Sequence, residues 1–135
     1  MELMTDASVF MAVLLNQTEK QKIISLTTRH DLVAPAVLPY EIGNALSALC
    51  RRQRLDSKQI VRGFTQFSSI PVRLIEPDID KALRLVARFL IYAYDAYYLE
   101  IAVRHNMALL TLDKQMVRLA KELNLKVLEV SNEDL

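Results

Sequence analysis

The sequence predicts an α/β protein, a single-domain α/β/α sandwich built on a parallel sheet of about four to five strands. Short apolar runs alternate with longer amphipathic segments along the chain, and few hairpin signals interrupt this alternation. The length of 135 residues suits one domain with one core. Strands that alternate with helices indicate a parallel sheet covered by helices on both faces.

The first predicted elements follow the N-terminus closely. Leu3 and Met4 form a short strand that runs into Thr5-Asp6, and residues 8–15 form the first helix. A second apolar run covers residues 32–37 and is interrupted by Pro35. Asp6 therefore lies at the junction between a strand and a helix.

Two amphipathic helices are predicted in the middle of the chain. Pro39 suits the first position of a helix that extends to about Arg52. Residues 57–67 form the next helix, which is capped by Ser57 or Asp56. The apolar face of the first of these helices carries Leu38, Ile42, Ala45, Leu46 and Leu49.

The second half of the chain repeats the alternation of strand and helix. Residues 71–75 form a strand, and Glu76-Pro77-Asp78 opens a helix whose acidic first turn suits the helix dipole. The side chains expected to face inward from this helix are Leu83, Val86, Ala87 and Leu90. The remaining elements are a helix from Tyr94-Asp95 to about Arg104, a strand over 108–112, a helix over 113–123, a strand over 126–130 and a frayed tail over 131–135.

The composition excludes several classes of function. No apolar run approaches the roughly 20 residues of a membrane span, although 52% of the residues are hydrophobic. One cysteine and two histidines cannot build a disulfide or a multi-cysteine zinc site. The two glycines cannot form a P-loop, a dinucleotide-binding fingerprint or a nucleophile elbow. The acidic N-terminus is unlike a secretory signal, so a cytoplasmic protein is expected.

Four acids are predicted to meet at one edge of the sheet: Asp6, Glu41, Asp95 and Asp113. Each follows a strand or lies at the start of a helix beside the carboxyl ends of the strands, where ligands bind in such sheets. Carboxylates brought together repel each other unless a cation neutralises them. An all-oxygen set of ligands selects Mg²⁺ or Mn²⁺ over zinc.

A simpler interpretation exists for each acid taken alone. Asp6, Asp95 and Asp113 precede helices, where Asp is a preferred N-cap, and Glu41 suits the dipole of its helix. Asp95 and Glu41, however, lie on the apolar stripes of their helices, and neither first turn contains a lysine or arginine. Because buried acids need a partner, their position favours the metal site.

At these acids the sequence resembles the PIN domain family in four short motifs, which occur in the family's order. They are residues 5–8 (TDAS), residues 40–46 (YEIGNAL), residues 94–98 (YDAYY) and residues 110–113 (LTLD). The resemblance covers residues 1–130, and the size and single-domain build look most like the VapC-type toxins. It implies an α/β/α fold, a Mg²⁺- or Mn²⁺-dependent ribonuclease and a cognate antitoxin.

The resemblance also implies a role for individual residues. Asp6, Glu41, Asp95 and Asp113 match the acidic catalytic and metal-binding positions of the family. Ser8 and Thr111 match positions that orient the site, and Asn44 matches one that supports Glu41. Some relatives carry a further acid shortly after the last aspartate, whereas Lys114, Gln115 and Met116 follow here, which leaves a second metal position open.

Substrate RNA requires cations, and the net charge of +1 allows them only as local patches. Arg51, Arg52 and Arg54 follow the helix of Glu41 and are the candidate RNA-binding residues, although a solvated helix end explains them equally well.

Glu100 is expected to face solvent because it lies five residues from Asp95, and helical geometry then turns it to another face. Four tyrosines near Asp95 could stack on bases: Tyr92, Tyr94, Tyr97 and Tyr98. Aromatic residues clustered on an apolar helix, however, more often belong to the core.

The leading functional hypothesis is a metal-dependent endoribonuclease, the toxin of a toxin–antitoxin pair. A PIN fold that binds RNA or a partner without cleavage is the first alternative. A phosphoacceptor receiver domain is the second, but the residues around Asp6 and the position of Lys126 fit it poorly. The 57–67 helix carries more apolar surface than a small sheet can cover, so an exposed patch and a homodimer are expected. The alternative is that this helix simply packs on its own sheet.

Overall fold

The computed structural model describes residues 1–130, so the tail predicted over 131–135 lies outside the described residues. Five strands form its sheet: β1 (Glu2–Thr5), β2 (Asp31–Pro35), β3 (Val72–Ile75), β4 (Ala108–Thr111) and β5 (Val127–Glu129). The helices described are α1 (Ala7–Leu14), α2 (Lys20–Thr27), α3 (Leu38–Arg51), α4 (Ser57–Ser68), α5 (Ile79–Phe89), α6 (Ala93–His105) and α7 (Lys114–Glu122). The predicted α/β class is confirmed.

All strands are parallel, and their order in the sheet is β3-β2-β1-β4-β5. The first strand is therefore central, and Leu3 pairs with Leu32 on one side and with Ala108 on the other. Because the strands are parallel, all of their carboxyl ends lie at one edge of the sheet. The order reverses at β1, so the crevice at its carboxyl end is a topological switch point.

Helices cover both faces of this sheet, as the sequence predicts. Leu3 and Leu110 pack against Val9 of α1 and Ile23 of α2 on one face. A larger cluster joins Met4 and Leu109 to α6 and α7 through Ala96, Leu99, Ile101, Ala102, Met116, Leu119 and Ala120. Both clusters are fully buried, so strands β1 and β4 read as continuous apolar runs rather than as alternating ones.

The predicted burial of α5 is wrong for Leu83, Ala87 and Leu90, which are exposed, and correct for Val86. Leu83 is half-exposed and Leu90 is almost fully exposed, while Ala82 is the buried residue of this helix. Val86 packs partly against the core as predicted, together with Leu85 and Phe89, which were not predicted to do so. The helix is rotated from the predicted orientation because it packs against the next helix, α6, and the angle of that packing is not encoded in the periodicity of α5 alone.

Glu100 is a second correction. Its side chain is buried rather than solvated, and it accepts hydrogen bonds from Arg104 Nε at 2.7 Å and from the backbone N–H of Asp78 at 2.6 Å. Arg104 also donates to the carbonyl of Glu76 at 3.0 Å. The pair therefore ties α6 to the N-terminus of α5.

No helix among residues 1–130 is long and apolar enough to cross a membrane.

Candidate active site

Asp6 and Asp113 lie side by side because their strands are neighbours. Asp6 directly follows β1 and caps α1, and Asp113 follows β4 by two residues and caps α7. The backbone N–H of Asp6 donates to the carbonyl of Leu110 at 3.3 Å, which joins the two strand ends. Two of the three N-caps considered from the sequence exist, and for Asp6 and Asp113 capping and site formation are properties of the same residues. The third is wrong, because the N-cap of α6 is Tyr92 and Asp95 lies in the first turn of the helix.

Ser8 and Thr111 hold the Asp6 carboxylate from opposite sides. Its Oδ1 accepts from the Ser8 backbone N–H at 3.1 Å and from the Ser8 hydroxyl, and its Oδ2 accepts from the Thr111 hydroxyl. Both hydroxyl oxygens in turn accept backbone donors: Ser8 Oγ from Leu112 N–H at 3.1 Å and Thr111 Oγ1 from Asp113 N–H at 3.0 Å. This closed network fixes the orientation of Asp6.

Glu41 is held by Tyr98, the last residue of the 94–98 motif, to which the resemblance gives no role at the site. It lies in the first turn of α3, and its Oε1 accepts a hydrogen bond from the Tyr98 hydroxyl of α6 at 2.8 Å. Asn44, which the resemblance assigns to the support of Glu41, is exposed, and its side chain makes no hydrogen bond within residues 1–130. In this structure the support of Glu41 therefore comes from Tyr98.

Asp95 and Asp113 are the more accessible acids. Asp95 lies half-buried in the first turn of α6, and its carboxylate makes no hydrogen bond or salt bridge with another described residue. Asp113 is exposed, and its Oδ1 accepts from the backbone N–H of Gln115 at 2.8 Å and of Met116 at 3.4 Å. Both side chains are therefore free to meet a ligand from the solvent side.

The electrostatics of the acids show that they share one region. Burial raises the pKa of Asp6, hydrogen bonds from Ser8 and Thr111 lower it, and repulsion by Asp113 raises it. Burial also raises the pKa of Glu41, against the Tyr98 hydrogen bond, and the charges of Asp6 and Asp95 raise it further. The pKa of Asp95 is raised by burial and then by Asp113. Each of the four acids is therefore close enough to two of the others to be repelled by them.

The donor set suits a hard divalent cation. None of the four acids forms a salt bridge within residues 1–130, so no basic side chain described there offsets their repulsion. No three acid, histidine or cysteine side chains in this part of the chain converge closely enough to hold a metal ion as they stand. Carboxylate oxygens are nevertheless the type of ligand that Mg²⁺ and Mn²⁺ prefer, so the chemistry of the four side chains fits a hard cation.

The arginine cluster lies away from these acids. Arg51 ends α3, Arg52 is its C-cap, and Arg54 follows in the next turn; all three are exposed. Since an α-helix rises 1.5 Å per residue, Arg51 lies about 15 Å along the axis from Glu41. An RNA strand that contacts both must therefore extend along α3.

The match to a family model agrees with this architecture. The PIN domain model matches residues 3–122, which is most of the chain. The chain therefore belongs to the PIN domain family, whose members are generally nucleases. No curated protein matches the chain.

Three solved structures with the same fold show how far the likeness extends. PAE2754 from Pyrobaculum aerophilum has a TM-score of 0.71 and 27% identity, over 96% of this chain and 90% of that one. VapBC2 from Rickettsia felis, solved bound to a DNA fragment from its promoter, has a TM-score of 0.70 and 13% identity, over 97% and 100%. FitAcB from Neisseria gonorrhoeae has a TM-score of 0.64 and 16% identity, over 93% and 95%.

Proposed function

We propose that this PIN domain is a Mg²⁺- or Mn²⁺-dependent endoribonuclease that hydrolyses phosphodiester bonds, and that it is the VapC-type toxin of a type II toxin–antitoxin pair. The observation that carries the proposal is the cluster of four carboxylates that repel each other at the carboxyl edge of the sheet. Such a cluster destabilises the fold unless a cation binds to it. Membership of a family of nucleases supports phosphodiester hydrolysis as the reaction.

The residues of the chain supply a prepared set of ligands. Asp6, Glu41, Asp95 and Asp113 would hold the ion, which supplies an activated water and neutralises charge on the phosphate during attack. Ser8 and Thr111 keep Asp6 from rotating, because each hydroxyl is itself held by the backbone. Tyr98 keeps Glu41 oriented and favours its ionised form. Outer groups of this kind orient metal ligands in many sites.

An antitoxin is the proposed protein partner. The VapBC2 and FitAcB structures support it, because both are complexes of a PIN protein with a second protein. We place the antitoxin near the acids, where a basic side chain would neutralise the same repulsion that the metal relieves. A homodimer is proposed through α4, where Val61 is 65% exposed and Phe64 is 38% exposed, as expected for an apolar patch.

Cleavage of RNA by an Asp95→Asn variant tests the proposed function. The wild-type chain should cut RNA with Mg²⁺ or Mn²⁺ and should stop when EDTA is added, whereas the variant should not cut with either metal. Asp80→Asn is the matched control, because Asp80 is an exposed acid on α5 whose one ion pair within residues 1–130 is with Arg84. Equal cleavage rates for wild type and Asp95→Asn would refute the site. Wild-type RNA binding without any cleavage would instead indicate the non-catalytic binding module.

A further inference from the structure

We propose that a pocket beside the four acids binds one unpaired nucleobase of the RNA, with Tyr92 stacking on the base and Gln115 hydrogen-bonding to its edge. The pocket has a volume of about 360 Å³ and is lined by Leu90, Ile91, Tyr92 and Gln115. This inference rests on the proposed function, because its ligand is part of the strand held at the acids.

The position of the pocket connects it to the acids. Tyr92 is the N-cap of α6, three residues before Asp95. Gln115 lies in the first turn of α7, and its backbone N–H donates to the Asp113 carboxylate at 2.8 Å. The pocket therefore lies between the starts of two helices that each carry one of the acids. A nucleotide next to a phosphate held at the acids can reach it.

Tyr92 has no structural role that explains its exposure. Its side chain is 81% exposed, and within residues 1–130 it makes no hydrogen bond and no contact with another ring. Exposed aromatic rings stack on the bases of single strands, and they do so with any base because every base has a π-face. A ring of this kind beside a nuclease site is suited to hold an unpaired base.

Leu90 is unusual in its backbone as well as in its exposure. It has a φ of 56° and its side chain is 87% exposed. A bulky residue is disfavoured in the left-handed region, and Asn16, Asn106 and Asn124 show the more usual choice for the same conformation in this chain. Neither burial nor the helix cap explains a leucine here. As an apolar wall of the pocket it would pack against the base.

Gln115 and its neighbours give the pocket polar and charged groups that can bind RNA. The side-chain amide of Gln115 contains both donors and an acceptor, so it can hydrogen-bond to the edge of a base. Lys114 and Arg118 are exposed on the same helix and supply positive charge for the adjacent phosphates. Aromatic stacking next to cations is typical of surfaces that bind single strands.

Binding of single-stranded oligoribonucleotides that carry 2-aminopurine at one position at a time tests the pocket. The titrations use the full chain with intact acids and Mg²⁺, and the fluorescence is recorded immediately after mixing, so that binding is measured before cleavage. One labelled position should show quenching on binding. Tyr92→Ala should abolish that quenching and weaken binding roughly 5- to 150-fold, since that is the range of base stacking. Tyr92→Phe should retain both, because the ring remains.

Two further variants complete the experiment. Val103→Ala, which removes exposed apolar surface from the other end of α6, should bind RNA like its parent. Gln115→Ala should reduce the difference in affinity between the four bases at the quenched position. Unchanged binding and quenching in Tyr92→Ala would overturn the pocket, and so would equal losses in Tyr92→Phe and Tyr92→Ala.

The outcome separates this pocket from the proposed function. If wild type cuts RNA in an Asp95-dependent way but Tyr92→Ala binds normally, the pocket is refuted and the nuclease stands. If quenching depends on Tyr92 but no RNA is cut, the pocket stands and the nuclease is refuted.

Discussion

Glu41 and its partner show how a residue-scale prediction succeeds or fails. The acid follows from a local motif, but the hydroxyl that binds it comes from Tyr98, 57 residues away. By contrast, Ser8 and Thr111 each lie two residues from an acid, within a motif that a single stretch of sequence displays. Local spacing can therefore identify the ligands and their near neighbours, whereas contacts between distant helices require the fold.

Tyr98→Phe should reduce RNA cleavage about tenfold while leaving the fold intact. It removes the hydrogen bond on Glu41 but keeps the buried ring, and loss of an outer partner costs roughly 10- to 100-fold in metal affinity or activity. The free energy of unfolding should fall by about 1 kcal/mol. Metal-dependent cleavage and urea unfolding measure the two effects.

Tyr97→Phe is the control for that variant. Tyr97 lies beside Tyr98 on α6 and contacts the Tyr94 ring, which a phenylalanine preserves. It should cleave RNA like wild type. If Tyr98→Phe also retained the wild-type rate, the hydrogen bond to Glu41 would have no part in the site.

At the scale of elements, the strands and most helices follow from pattern and capping. Helix α4 is an example, since it begins at Ser57 as predicted, and Asp56 and Gln59 form a complete capping box at its N-terminus. Helix α2 was not predicted, because its N-cap, Glu19, makes no side-chain cap bond and Ile23 is its buried residue. Such a helix forms by packing against α1 and carries almost no signal of its own.

The same limit explains the two errors in burial. The rotation of α5 and the burial of Glu100 both depend on the contact between α5 and α6. The spacing of five residues between Asp95 and Glu100 on one helix predicts that Glu100 faces solvent. Its partners include a backbone N–H from another element, which helical spacing cannot reveal.

The end of α3 carries a prediction about RNA contact. Replacing Arg51, Arg52 and Arg54 by Gln should weaken RNA binding and make the negative slope of log affinity against log salt shallower by about 2. This follows because each phosphate contact on a single strand contributes about 0.7 to the slope. Binding measured over a range of salt concentrations checks it.

The matched control changes the same charge elsewhere. Replacing Lys20, Lys22 and Arg29 by Gln removes three positive charges from and beside α2. That variant should lose much less affinity than the α3 variant. Equal losses would indicate that only net charge matters, and the arginines would then be an ordinary solvated helix end.

At the scale of the whole molecule, the exposed face of α4 predicts association. Val61 and Phe64 line an apolar groove of about 300 Å³ between α3 and α4, together with Gly43, Leu46, Ser47, Ile60 and Thr65. Light scattering at micromolar concentration should give twice the monomer mass of 15.4 kDa, and Val61→Glu should restore the monomer. A monomer mass for wild type that stays unchanged on tenfold concentration would refute the dimer but not the catalytic site.

The melting temperature in the presence of divalent metal tests the central claim, that four repelling carboxylates form one cation site. Millimolar Mg²⁺ or Mn²⁺ should raise the melting temperature of wild type by several degrees, because a ligand that binds only the native state stabilises it. Asp80→Asn should show the same rise, whereas Asp95→Asn should melt higher than wild type without metal and respond little to it. No shift in wild type, or an equal shift in Asp95→Asn, would contradict the account.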